Sequence, residues 1–378
     1  MIYREIGKLG IKISSLGFGS MRLPMKEGRD GREYVEEDKA VETMRRAFDL
    51  GVNYIDTAPY YCENQCEEVI GKALKGRRDK VYVSTKSPIK DYKPTADEFT
   101  RWLEQSLKRL DVDYIDFYHF WGIGWDVYNT RMNIPHGPLE AAFKAKREGL
   151  IKHLSFSFHD VPENMIKLID TGNFETVLCQ YNLLDRKNED AIAYAHEKGM
   201  GVFIMGPVGG GRLGEPSPVI QNMIPGGVKS TAEMALRFVL ANPNVTCALS
   251  GMSDVSMVEE NAAVAGIEGP LSSGEMAKVK AMMDENAKLA DLYCTGCGYC
   301  LPCPENIRIP DILRLVNYNR IYGLKDYSVS EYADIKEEKR DAYYCSDCGK
   351  CMEACPQKLN VIEEIKKAAG LLDPEYRQ

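Results

Sequence analysis

The sequence predicts an α/β protein: a (β/α)8 barrel followed by a small, mainly α-helical domain carrying two cysteine runs. Two observations support this. Residues 1–285 alternate short β-branched or aromatic runs with longer amphipathic stretches, the rhythm of βα units and a parallel sheet. From about Ala287 that rhythm stops, and eight of the twelve cysteines then fall in two short stretches. The expected domains are 1–285 and 286–378.

Eight candidate strands follow in order: Lys12–Phe18, Val52–Asp56, Lys80–Lys86, Tyr114–His119, His153–Phe158, Thr176–Tyr181, Gly201–Met205 and Thr246–Ser250. Helix-like stretches lie between them at Glu37–Leu50, Thr95–Leu110, Gly137–Glu148, Val161–Thr171, Asn188–Lys198 and Thr231–Ala241. Val255–Val264 reads as a short helix after the eighth strand. Eight strand–helix units in ~250 residues is the usual size of a TIM barrel. Beyond it, Ala287–Tyr293 reads as a linker, Pro310–Tyr322 and Val361–Leu371 as helices, and Asp326–Arg340 as a charged surface segment.

The cysteine runs are Cys294-x2-Cys297-x2-Cys300-x2-Cys303-Pro304 and Cys345-x2-Cys348-x2-Cys351-x3-Cys355-Pro356. Three thiolates spaced by three can wrap three corners of an iron–sulfur cubane. In two-cluster ferredoxins the fourth cysteine of each run, followed by proline, crosses to the other cluster. The spacing therefore assigns one [4Fe-4S] cluster to Cys294, Cys297, Cys300 and Cys355, and another to Cys345, Cys348, Cys351 and Cys303, in a ferredoxin-like domain. Structural zinc is the alternative, though it leaves the third cysteine of each triplet awkward to use. The x2 before Cys303 leaves open which cluster that residue serves.

With 378 residues and 44% hydrophobic content, the chain suits one large domain plus a small one. A net charge of −8 without a long basic run argues against nucleic acid as the main partner. No stretch approaches the ~20 apolar residues of a membrane span. The first residues lack an apolar signal core, so the expected location is the cytoplasm.

Barrel active sites lie at the C-terminal ends of the strands. Polar residues gather there: Asp56, Lys86 and His119 on strands two to four, Ser157 and His159 after five, Gln180 and Asn182 after six. Gly206-Pro207-Val208-Gly209-Gly210-Gly211 follows strand seven, and Gly251-Met252-Ser253 follows strand eight. Such loops often bind a phosphate.

These residues resemble the aldo-keto reductases. The likeness is carried by Leu16-Gly17-Phe18-Gly19-Ser20-Met21-Arg22-Leu23-Pro24, Asp56-Thr57-Ala58-Pro59-Tyr60-Tyr61, Ser84-Thr85-Lys86, Gln180-Tyr181-Asn182 and the last two loops. The cysteine tail resembles the branch of that family with a C-terminal ferredoxin-like domain. The resemblance implies hydride transfer between a nicotinamide and a small carbonyl or alcohol at the barrel mouth, framed by Tyr61, Trp121 and Trp125. It places Asp56, Tyr61 and Lys86 in a catalytic tetrad. It also implies a nicotinamide site from Gly19, Ser20, Met21, Asp56, Lys86, Ser157, Gln180, Met205, Gly206, Pro207, Val208, Gly211, Gly251, Ser253 and Asn261. A lysine cation beside Tyr61 is expected to lower the pKa of its phenol, with Asp56 keeping the lysine charged.

Two departures stand out. The family's catalytic histidine aligns at Trp121, while His119 sits two residues earlier on the same face and deeper. His119 is either the fourth catalytic member or a core histidine. The segment 252–261 has acids and no Lys or Arg, which by analogy favours NAD(H) over NADP(H). Cys62 and Cys66 follow Tyr61 closely and read as inert thiols with redox activity as the alternative, Cys179 and Cys247 as core, His159 and Arg22 as rim residues, and the remaining histidines as structural or exposed. The clusters would pass single electrons to an external carrier or the barrel site. The alternatives are a cluster-driven enzyme without nicotinamide, or an electron-transfer subunit whose barrel is a docking scaffold.

Overall fold

The computed structural model describes residues 1–291, 294, 298–355 and 359–376. The chain divides into two compact units, Met1–Gly209 with Ala235–Leu271 and Gly210–Met234 with Ser272–Gln378.

The first unit holds a closed barrel of eight parallel strands. In chain order these are Leu16–Gly19, Tyr54–Asp56, Tyr82–Ser87, Ile115–Ile123, Ile151–Phe158, Thr176–Gln180, Gly201–Met205 and Cys247–Gly251. Each is flanked in sequence by turn or helix residues that end the pleat. The helix Ala96–Leu110, for instance, is capped by the Thr95 hydroxyl accepting from the Glu98 N–H, and it ends at Asp111 in the left-handed region. Val255–Val264 begins on Asp254, whose carboxylate accepts from the Met257 N–H at 2.9 Å.

The first expected strand needs correction. Ile11–Ser14 leaves the barrel and pairs antiparallel with Tyr3–Ile6; only Leu16–Gly19 enters the barrel. The break falls at Ser15, whose N–H goes to the Ile2 carbonyl at 2.8 Å. This hairpin packs Ile6 and Ile13 with Tyr54, Phe117, Leu178, Phe203, Cys247 and Leu249, from the starts and middles of barrel strands. Tyr54 stacks on Phe203 with ring centroids 4.4 Å apart. Fully burying one such aromatic is worth ~2–3 kcal/mol, so this cluster anchors the barrel floor. Its mouth is left for polar groups. A second hairpin, Met25–Glu27 with Glu33–Val35, follows the first barrel strand and has no counterpart in the sequence reading.

The second unit is helical: Ile309–Tyr322, Lys325–Glu337, Lys350–Ala354 and Val361–Leu372 are its helices after the first cysteine run. The expected surface segment 326–340 is mostly the second of these, with Tyr332 and Ile335 buried. Ser273–Asp291 is one helix, so the linker expected from Ala287 is helical through Asp291; Tyr293 lies outside the described residues. Ser217 caps the turn Pro218–Gln221 by accepting from the Ile220 N–H, and its hydroxyl donates to the Tyr322 carbonyl. Among the described residues, no helix is long and apolar enough to cross a membrane.

Candidate active site and cluster site

Strand register sets the site. Gly251 pairs with Gly19, Gly19 with Asp56, and Asp56 with Ser84. Lys86 pairs with His119, and Gln180 with Met205. The strand ends therefore form one ring, and alternate side chains on it point inward.

At its centre Lys86 is 2% exposed. Its ammonium donates to Asp56 Oδ2 at 2.7 Å and to the Thr57 carbonyl at 2.6 Å. The other Asp56 oxygen accepts from Ser84 Oγ at 2.6 Å. Ser84 went unnamed as a site residue in the sequence, although alternation places 84 and 86 on one face. Burial alone would push the lysine toward its neutral form. Asp56 and Tyr61 outweigh burial, and the ammonium pKa rises.

Tyr61 opens a short turn, and the Lys86 Nζ lies 4.7 Å from its ring centroid. Here the expected direction fails. Burial raises the phenol pKa, Lys86 lowers it and Asp56 raises it, and the net shift is upward. The lysine acts as expected on its own, but the rim removes more water from the phenolate than one cation restores. The next three residues, Cys62, Glu63 and Asn64, all have positive φ, at 47°, 54° and 64°. Each left-handed non-glycine residue costs about 1 kcal/mol or more. Next to the turn, Gln65 accepts from the Val35 N–H and donates to the Glu33 carbonyl, and the following helix, Cys66–Leu74, is anchored through Glu67. That buried carboxylate accepts from Thr85 Oγ1 and pairs with Arg109 Nε, both at 2.6 Å.

His119 is fully buried beneath this layer, its Nε2 3.9 Å from Asp56 Oδ1. Neither ring nitrogen makes a hydrogen bond with a described residue. Burial pushes its pKa down to about 4, against the opposing pull of Asp56. Trp121 is partly exposed and meets the Tyr61 ring edge-on, with centroids 5.7 Å apart. Tyr60 completes the aromatic wall between Trp121 and Trp102, at 5.5 Å and 5.7 Å.

The expected nicotinamide residues distribute as follows. Gly19, Gln180, Met205 and Gly251 end their strands, and Ser157 lies one residue before the end of the fifth. The Ser157 Oγ accepts from the Gly122 N–H at 2.7 Å. Ser20 is buried, and its hydroxyl has no partner among the described residues, while Met21 is 65% exposed. The Cys62 and Cys66 thiols both donate to the Ser20 carbonyl, at 3.5 Å and 3.1 Å. A hydrogen bond with Cys66 lowers the Cys62 pKa to about 7, so this thiol is less ordinary than its sequence suggested. Gly206 has φ +63°, and a Cβ there would come within 3.2 Å of the Gln180 amide, so only glycine seats this backbone comfortably. Its carbonyl accepts from Asn182 Nδ2 at 2.9 Å. Pro207 is buried and Val208 half-buried. Asn261 Nδ2 donates to Ser250 Oγ at 3.1 Å, and Ser253 Oγ donates to the Met257 sulfur. Gly211, with φ +98°, belongs to the second unit.

In the second unit one cavity is lined by Cys300, Cys303, Cys345, Cys348 and Cys351, with Ile307, Ile309, Ile362 and Ile365 among its apolar walls. Five thiols dominate the lining, with Glu305 and Ser346 the other polar side chains on it, and a sulfur-rich donor set against apolar walls fits an iron–sulfur cluster. It contains all four cysteines assigned to the second cluster. Of the first set, Cys300 lines this same cavity, Cys294 is half-buried and Cys355 is buried. Cys297 lies outside the described residues. Among the described residues no three His, Cys, Asp or Glu side chains are placed to hold a single metal ion.

Comparison with known proteins agrees with this geometry. Residues 293–362 match the 4Fe-4S dicluster domain. L-galactose dehydrogenase of Arabidopsis thaliana is 30% identical over 307 residues, covering 74% of this chain and 94% of that protein. The solved holo form of aldo-keto reductase AKR11C1 from Bacillus halodurans is 27% identical with a TM-score of 0.63, covering 74% of this chain and 96% of that one. An aldo/keto reductase from Klebsiella pneumoniae, solved in complex with NADP and acetate, is 27% identical with a TM-score of 0.60, covering 74% and 94%. Residues 15–284 match the aldo/keto reductase family. The chain is an oxidoreductase that belongs to the aldo/keto reductase family and carries a C-terminal 4Fe-4S domain.

Proposed function

We propose that the barrel interconverts a small carbonyl compound and its alcohol with a nicotinamide cofactor, and that the C-terminal domain carries two [4Fe-4S] clusters serving an external one-electron carrier. One observation carries the barrel reading: the buried Lys86 ammonium, fixed between Asp56 and the Thr57 carbonyl, faces the Tyr61 ring. The nicotinamide, when bound, supplies or accepts the hydride.

The residues supply the proton. A phenol is protonated at neutral pH and burial raises the Tyr61 pKa further, so the residue has a proton to give to a carbonyl oxygen. As charge leaves that oxygen for the phenol, the adjacent Lys86 stabilises the phenolate. Asp56 holds the lysine charged and in place. His119 is neutral and sealed from the mouth, so its role is positioning beneath Asp56. Trp121 stands where the family's histidine aligns and offers an aromatic edge to the substrate.

The Klebsiella complex with NADP supports a nicotinamide in this barrel. Gly19, Ser20, Met21, Ser157, Gln180 and Met205 would hold its reactive half, and Gly206, Pro207, Val208, Gly251, Ser253 and Asn261 its phosphates and ribose. NAD(H) is favoured because the Asp254 carboxylate occupies the helix N-terminus beside Ser253, where a ribose phosphate would meet a like charge. The clusters would be held by Cys345, Cys348, Cys351 and Cys303, and by Cys294, Cys297, Cys300 and Cys355.

Anaerobic purification tests both halves. The expected sample carries about eight irons per chain with matching sulfide and binds NADH more tightly than NADPH in titration. Zinc in place of iron contradicts the cluster reading, and failure to bind either nucleotide contradicts the barrel reading.

A further inference from the structure

Gly122 follows Trp121 on the fourth barrel strand, and two basic side chains close on it from different elements. A Cβ placed on Gly122 would lie 3.6 Å from Lys90 Nζ and 3.6 Å from His159 Cδ2. Lys90 comes from the loop after the third barrel strand and His159 from the end of the fifth. Neither makes a hydrogen bond or ion pair with a described residue. The gap between them is built into the backbone. Gly122 has φ +59°, where a side chain would be strained, and its N–H is fixed on Ser157 Oγ.

Of the cations around the gap, Lys86 is paired with Asp56 and Lys187 with Asp185, which leaves the Lys90 ammonium as the charge open to a ligand. His159 keeps solvent access, yet partial desolvation by the rim, then Lys90, Lys187 and Lys86, hold its pKa below the ordinary value. The acids nearby are committed elsewhere. Asp160 accepts from Asn164 Nδ2 at 2.7 Å and from the Val161 N–H at 2.8 Å. Asp91 acts on the Tyr60 hydroxyl, and Asp185 is 4.0 Å from Lys187. The Lys90 ammonium and a neutral His159 N–H, both unpaired, together recognise an anion, through hydrogen bonds that the ligand's charge strengthens. The spot is one residue from Trp121, which touches Tyr61.

We propose that Lys90 and His159 form an anion subsite beside the Tyr61 centre, so that the substrate is a small carbonyl compound bearing a carboxylate or a phosphate. This rests on the barrel reading given above for the reaction, while the subsite itself stands on its own geometry. Carboxylate and phosphate share the chemistry the subsite offers; the test separates them.

The test uses matched pairs on the full-length holoprotein with its preferred nicotinamide: succinic semialdehyde against butanal, and glyceraldehyde 3-phosphate against glyceraldehyde. At least one charged member should exceed its neutral partner in kcat/KM by roughly tenfold or more, the scale of one hydrogen bond to a charged group. Lys90→Gln and His159→Gln should each shrink that ratio by roughly tenfold. In parallel, succinate and inorganic phosphate are titrated against the wild type and both variants by tryptophan fluorescence, since the three tryptophans, Trp102, Trp121 and Trp125, all belong to the barrel unit. Saturable binding of either anion, weakened by both substitutions, supports the subsite even if no aldehyde is reduced, and that combination would fault the reaction alone. Reduction of aldehydes without charge preference, or binding of neither anion, overturns the subsite.

Discussion

Trp121 meets Tyr61 edge-on, ring planes at 88° and centroids 5.7 Å apart. The contact places an indole, which can donate one N–H but cannot shuttle a proton, where the family's pattern puts an imidazole. On the proposed mechanism the proton and the charge stabilisation come from Tyr61 and Lys86 together. On that mechanism Trp121 frames the substrate and does not polarise it. Trp121→Ala should raise KM about two- to tenfold, the value of one aromatic contact, with a smaller effect on kcat. Steady-state kinetics check this; a collapse of kcat at unchanged KM would give Trp121 a part in the chemistry.

His119 links stability to pH. Its native pKa of about 4 lies below the ordinary 6.5. The unfolded chain therefore binds the proton first as pH falls, and stability from burying the neutral ring is complete above 6.5 and lost as pH drops toward 4. Between pH 7 and pH 5 the loss should be about 2 kcal/mol. His119→Leu should reduce the pH dependence over that window by a similar amount in denaturant titrations followed by tryptophan fluorescence. Equal pH dependence in both proteins would mean the ring is protonated in the fold.

Glu67 holds the helix after Tyr61 against Thr85 and Arg109. Glu67→Ala strands a partly buried guanidinium and a buried hydroxyl, and should cost about 3 kcal/mol. Because Tyr61 and the left-handed turn at Cys62–Asn64 lead straight into that helix, kcat should fall as well. Glu67→Gln keeps the shape and should cost less. Thermal melts with activity measured well below the midpoint separate the two effects.

The barrel was legible because hydrophobic alternation and helix spacing change over sharply at each strand end; Gly201–Met205 and Val255–Val264 match the expected ranges. Lys12–Phe18 misled because Ile13, Leu16 and Phe18 are buried on both sides of the Ser14-Ser15 pair, and that pair, which breaks the alternation, marks where the pairing partner changes. Asp56, Lys86 and Tyr61 could be named from motif and strand-end position, and the structure brings them together. The phenol's net pKa direction could not, since it depends on how much water the rim removes. Lys90 was missed because nothing local distinguishes it; its meeting with His159 over Gly122 exists only once strands three, four and five are side by side. The grouping of Gly210–Met234 with the C-terminal residues is likewise nonlocal.

The most direct test is Tyr61→Phe in an anaerobic assay of nicotinamide-dependent carbonyl reduction, with cluster content checked in the same sample. The account predicts a loss of roughly 10²- to 10⁴-fold in kcat, the usual worth of a positioned general acid, with iron content and nucleotide affinity unchanged. Turnover equal to the wild type would contradict it.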